Sequence, residues 1–153
     1  MARVPWLSAT SLALALAGCG GSGPAGAQTS LNTRTVTLPD GFEVATELKV
    51  TPEDMARGMM YRDKLAGGRG MLFIHSQPGR NPYWMANCII PLDIIWMDSD
   101  HKVVEISPST PPCPAGGNSC PTYGGNAVSQ YVLELGGGEA AKHQVRDGSL
   151  VRF

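Results

Sequence analysis

From residue 33 onward apolar and polar positions mostly alternate in short runs, and that alternation predicts strands. Arg34 to Leu38 alternates and stops at the turn Pro39-Asp40-Gly41; Phe42 to Val50 alternates again and supplies the second arm of a hairpin. The pattern changes at Thr51-Pro52-Glu53-Asp54, where a hydroxyl cap, a proline at the first helical position and two acids in the first turn start a helix. That helix is expected to reach about Met60, with Met55 and Met59 on one face and Arg57 off it. Gly58 weakens its centre by roughly 1 kcal/mol relative to alanine, which a close approach to another backbone would explain. Further strands are predicted at Met71–Ile74, Tyr83–Cys88, Ile94–Met97, Lys102–Ile106, Tyr131–Leu135 and Leu150–Phe153, with a short helix at Glu139–His143. Many short strands, frequent turns and two short helices predict a mainly β single domain, barrel- or sandwich-like.

The N-terminus lies outside this pattern. Arg3 precedes an apolar run that closes on Leu16-Ala17-Gly18-Cys19. The run is too short to span a bilayer and has the layout of a secretory signal. The ending resembles a bacterial lipobox, so residues 1–18 are read as a lipoprotein signal peptide and Cys19 as the lipidated first residue of the mature chain. Residues 19–32, uncharged and rich in Gly, Ser, Ala and Pro, are read as a flexible tether, and residues 33–153 as the folded domain. Gly20 stands where an aspartate would favour the inner membrane. The expected location is the cell envelope, at the outer membrane facing the periplasm, with the bilayer engaged through Cys19.

Charge is nearly balanced, with 12 basic and 13 acidic residues and no basic stripe, which gives nucleic acid no electrostatic footprint. An oxidising compartment makes the proline-rich loop between Cys113 and Cys120 a disulfide-closed loop, with a metal or redox pair as the alternative. Cys88 is left over, either a small buried hydrophobe or a reactive thiol.

The densest information lies in Tyr83-Trp84-Met85-Ala86-Asn87-Cys88-Ile89-Ile90-Pro91-Leu92-Asp93-Ile94-Ile95-Trp96-Met97-Asp98, two apolar segments around a polar hinge. Together with Ala56-Arg57-Gly58-Met59-Met60-Tyr61-Arg62, Gly70-Met71-Leu72-Phe73, Pro112-Cys113-Pro114 and Tyr131-Val132-Leu133-Glu134, it makes the chain resemble the domain-of-unknown-function family 192 from about Val44 to Phe153. The resemblance implies a small β-rich domain, often secreted or envelope-attached, and no established reaction. The family's usual pattern has Lys or Arg after the Trp-Met pair and Thr after the Asn; here those positions are Ala86 and Cys88.

Five residues are the candidate ligand-binding set: Arg57, Arg62, Trp84, Asn87 and Asp93. An arginine fork suits carboxylates and phosphates, and the same fork could instead pair with Asp93 as a structural bridge. Trp84 offers an aromatic face for stacking, although a strand tryptophan is more often core. Asp93, set among apolar neighbours, must find donors in the backbone of the bend or in Arg62. The leading expectation is a non-enzymatic envelope module that binds a small polar ligand or a partner's segment, with no cofactor. The first alternative is an envelope hydrolase using Asp93 with Glu134. The second is a copper-handling or scaffold protein, drawn from Met55, Met59, Met60, Met71, Met85, Met97, Cys88 and His75, although methionines in apolar patterns usually fill gaps. No nucleophile elbow or phosphate-cradling glycine loop is present.

Overall fold

The computed structural model describes Met1, residues 32–114 and residues 119–153. The segments expected to be a signal peptide and a tether, with Cys19, lie outside the described residues except for Met1 and Asn32. The strands are β1 (Thr33–Thr37), β2 (Glu43–Lys49), β3 (Arg69–Gly79), β4 (Tyr83–Trp84), β5 (Leu92–Met97), β6 (Val103–Thr110), β7 (Thr122–Tyr123) and β8 (Ser129–Gly136). The helices are α1 (Pro52–Arg57) and α2 (Glu139–Lys142). The fold is a mainly β single domain with two short helices, as the alternation predicts. Six strands form one mixed sheet in the order β1-β2-β3-β8-β5-β6, and β4 pairs with β7 in a second, small sheet.

The hairpin β1–β2 forms with Val36 opposite Val44. The step from β2 to β3 is parallel, with Glu47 beside Met71, and α1 provides the crossover. Every other pairing within the large sheet is antiparallel. The chain after α2 then joins the two sheet edges. Thr37 and Arg152 exchange backbone hydrogen bonds at β1, while the Val103 amide donates to the Ser149 carbonyl at β6. The predicted last strand is thus reduced to isolated bridges at Leu150 and Arg152, and these give the sheet its barrel-like closure.

Side-chain alternation divides the interior into two cores. Leu72, Ile95, Met97, Leu133 and Leu135 point to the inner side, where Val36, Val103 and Val151 meet them. Met71, Phe73, Ile94, Trp96 and Val132 point to the outer side and are covered by Met59, Met85, Cys88 and Leu92. All six residues of β5 are buried because both of its faces are packed, and an apolar run is what such a strand requires.

Several boundaries move for local reasons. Thr51 caps α1 by accepting from the Asp54 amide at 3.2 Å, but the helix stops at Arg57, short of the expected Met60. Gly58, at φ +42°, is the C-cap; a Cβ there would stand 3.4 Å from the Phe73 ring, so its close neighbour is a side chain and not another backbone. The strand expected over Tyr83–Cys88 ends at Trp84, and Asn87 at φ +57° turns the chain. β3 runs five residues beyond Ile74, and β7 was not anticipated.

Asp93 holds three elements at one point. It is 0% exposed, and its carboxylate accepts from the amides of Ser109 (2.7 Å), Gly138 (3.0 Å) and Ala140 (2.6 Å). The donors lie on β6 and at the start of α2, so neither the bend nor Arg62 satisfies it. Asp93→Ala would strand those donors and is expected to destabilise the protein by about 3 kcal/mol or more in urea unfolding. A loss under ~1 kcal/mol would mean that water replaces the carboxylate there.

Candidate functional site

The outer face of the sheet carries a run of hollows around the end of α1. Alternation along β2 sends Val44 and Thr46 inward, which leaves Glu47 and Lys49 on the outer face. Gly58 turns the chain back after α1, and Tyr61, at φ +62°, turns it again. Arg57 and Arg62 are thereby brought beside Lys49 around an open hollow of about 420 Å³, with Asp54 and Tyr61 on the same wall.

Arg62 is held in place. Its guanidinium makes a two-pronged bridge to Glu47, Nη1 to Oε1 at 2.6 Å and Nη2 to Oε2 at 2.8 Å, and Lys49 reaches the same carboxylate at 3.4 Å. The bridge keeps the Glu47 carboxyl below its ordinary range and raises Arg62. Arg62 therefore pairs with Glu47 and not with Asp93. Arg57, on the exposed side of α1, has no ion-pair partner among the described residues.

Next to this hollow lies a small cavity of about 30 Å³, lined by Arg57, Gly58 and Met60 on one side and by Phe73, Tyr83, Cys88 and Glu134 on the other. Glu134 is 4% exposed, and its Oε2 has no hydrogen-bond partner. Burial pushes its pKa up to about 8, against a smaller opposing pull from Arg62. Burial also pushes the Cys88 thiol up to about 11, with Glu134 adding to the effect, so Cys88 stays a thiol at neutral pH. Tyr83 is raised for the same two reasons, and its hydroxyl lies 3.1 Å from Nε2 of His75.

On the far side of the cavity is a shallow, mainly apolar hollow of about 180 Å³ between Met55, Ala56, Tyr83, Trp84, Pro82 and His75. Trp84, 44% exposed, forms one wall of it. The short strand that bears Trp84 is fixed by pairing with Thr122 on β7, just beyond the Cys113–Cys120 disulfide.

Of the five predicted ligand-binding residues, Arg57, Arg62 and Trp84 gather at these hollows. Asn87 supports them from behind: its carbonyl accepts from the Tyr61 amide at 2.9 Å and its side-chain amide contacts the Met60 sulfur at 3.7 Å, which ties down the segment leading to Arg62. Asp93 lies elsewhere. It pairs with Leu135, and Glu134 with Ile94, so the two carboxylates project from opposite faces of the sheet. They cannot converge on one substrate, which removes the two-carboxylate hydrolase. The methionines of the copper alternative are split, Met97 in the inner core and Met59, Met71 and Met85 in the outer. Among the described residues no group of three or more His, Cys, Asp or Glu is placed to hold a metal. Two residues of the site, Glu47 and Lys49, were not singled out in the sequence. The strand alternation of β2 was the signal that places both on the α1 side.

The buried carboxyl sets a pH dependence. Folded Glu134 keeps its proton to about pH 8, whereas an unfolded glutamate loses it near 4.5. Between those values the folded state binds more protons, so the stability that Glu134 contributes is fully present below pH 4.5 and is lost as pH rises through 8. Glu134→Gln is expected to gain on the wild type between pH 5 and 8.5, by a few kcal/mol in order of magnitude, in paired urea titrations. Parallel pH profiles for the two proteins would show that the carboxyl ionises freely in the folded state.

Comparison with known proteins places this geometry in a family. The model of the DUF192 family, "Uncharacterized ACR, COG1430", matches residues 35–153. A protein of unknown function from Novosphingobium aromaticivorans DSM 12444 is similar in structure, with a TM-score of 0.70 and 30% identity over 79% of this chain and 85% of that one. A protein from Sinorhizobium meliloti 1021, called a "putative transcription regulator", superposes with a TM-score of 0.64 and 27% identity over 77% of this chain and 89% of that one. No curated protein matches. With nearly the whole described fold inside the matched range, the chain belongs to the DUF192 (COG1430) family.

Proposed function

We propose that this protein is a non-enzymatic binding module of the cell envelope, anchored through a lipid on Cys19, that takes a small anionic ligand in the hollow bounded by Lys49, Arg57 and Arg62. The observation that carries this reading is Arg57: an exposed guanidinium with no ion-pair partner among the described residues, on the rim of an open hollow of about 420 Å³. Arg62, already forked to Glu47, fixes the geometry of the rim, and Arg57 remains available for a planar two-point contact with a carboxylate or phosphate. A binding role fits better than a catalytic one. Glu134 is isolated from Asp93, and the free thiol of Cys88 is buried and held protonated. Near charge balance, with 12 basic and 13 acidic residues, argues against the DNA-binding role that the name of the Sinorhizobium relative would suggest.

Two measurements test the reading. Calorimetric titration with 3-phenylpropionate is expected to give saturable binding that Arg57→Ala weakens at least about tenfold, the size of one charge-assisted hydrogen bond. The melting temperature should stay within about 1 °C, since Arg57 is exposed and unpaired. Binding unaffected by the substitution would remove the site from this hollow. For the anchor, cells fed labelled palmitate are expected to label the wild-type chain and not Cys19→Ser, with the variant leaving the membrane fraction; equal labelling would exclude Cys19.

A further inference from the structure

Resting on that binding site, the cavity beneath it points to the class of ligand. Glu134 is a buried carboxyl whose Oε2 lacks any hydrogen-bond donor, and it lines a cavity of about 30 Å³. That space admits one water or one group of similar size. Apart from Arg57 on the side of the cationic hollow and small aliphatic groups, its other walls are sulfur and aromatic: Met55, Met59, Met60 and Cys88, with Phe73, Tyr83 and Trp84. Of these, Tyr83 has its hydroxyl engaged with His75, which leaves ring surface toward the cavity. A carboxyl oxygen surrounded by π faces and thioethers favours a small cation that brings its own donors. An ammonium group fits both the size and the chemistry.

The neighbouring hollows specify what the ammonium is attached to. Arg57, Gly58 and Met60 line both the cavity and the cationic hollow, so a carboxylate on Arg57 and an ammonium on Glu134 occupy adjoining spaces. Met55, Ala56, Tyr83 and Trp84 line both the cavity and the apolar hollow of about 180 Å³. Three adjoining sites, one for an anion, one for a cation and one for an apolar group, match the three substituents of an amino-acid α-carbon. We infer that the ligand is a free amino acid with an apolar or aromatic side chain, its carboxylate on Arg57, its ammonium on Glu134 and its side chain against Trp84 and Met55.

The charged and titratable groups around Glu134 are Arg57 from the end of α1, across the shared cavity, Arg62 from the segment after α1, Tyr83 from β4 and Cys88 from the turn that follows it. Tyr83 and Cys88 stay protonated and Arg62 stays charged below pH 8, so Glu134 is the group that must ionise to receive the ammonium. Affinity should therefore rise toward tenfold per pH unit between pH 6 and 7.5.

The test is calorimetry on the full chain in detergent micelles with three probes: L-phenylalanine, 3-phenylpropionate, which lacks the ammonium, and 2-phenylethylamine, which lacks the carboxylate. Phenylalanine is expected to bind at least about tenfold more tightly than either of the others, the size of one charge-assisted contact. Glu134→Gln should erase its advantage over 3-phenylpropionate and flatten its pH dependence, and Arg57→Ala should erase its advantage over 2-phenylethylamine. The comparison of the three probes on the wild-type chain stands even if a variant fails to fold. Equal binding of phenylalanine and 3-phenylpropionate, with both weakened by Arg57→Ala, would overturn the amino-acid inference and leave the anion site intact. Failure of both carboxylates to bind, or binding indifferent to Arg57, would overturn the two together.

Discussion

Alternation along the paired strands β5 and β8 sends two carboxylates in opposite directions, and the molecule is organised around that divergence. Asp93 goes to the inner side, where three backbone amides meet it and fasten α2 and the end of β6 to the sheet. Glu134 goes to the outer side, into an apolar layer that leaves one of its oxygens without a donor. One residue of register on either strand alone would bring both carboxylates to the same face. The ladder between β5 and β8 is therefore what makes one acid an anchor and leaves the other unspent.

The outer layer is assembled from segments with little regular structure, and a few polar contacts give it shape. Asn87 joins the turn after β4 to the loop after α1 through the Tyr61 amide, while its own amide donates to Cys113 at 3.0 Å. Cys113 in turn donates to the Cys88 carbonyl at 3.1 Å and is tied to Cys120, two residues before β7. The disulfide thus closes a circuit running from the Trp84 strand through the turn and back to its partner strand. A bridge over so few residues restricts the unfolded chain only modestly, and its larger effect is on local shape.

The sequence made the strands legible where one face is apolar and the other is not, as in β1, β2 and β8. It also marked α1 by its cap and the Cys113–Cys120 loop by its composition. What escaped it depended on backbone sign and on register. Gly58 ends α1 and Asn87 turns the chain after β4 by taking positive φ, and neither residue type announces whether it will do so. Asp93 and Glu134 both sit in apolar runs, and only the pairing of Asp93 with Leu135 shows that they face apart. The arginine fork of Arg62 is legible, yet its partner, Glu47, lies fifteen residues earlier on β2, on the other side of α1, a contact that no local pattern encodes.

The backbone hydrogen bonds between Thr37 and Arg152 and from Val103 to Ser149 bear on when such a chain can close. Each edge strand of the large sheet is bridged at one end by residues that follow every strand of that sheet in the sequence. Until they emerge, β1 and β6 offer unpaired edges of the kind that recruit foreign strands. A chain made from its N-terminus would remain open, and extendable, until residues 149–152 are available. Only then can both edges be bridged, so early closure of the sheet is opposed by the connectivity itself.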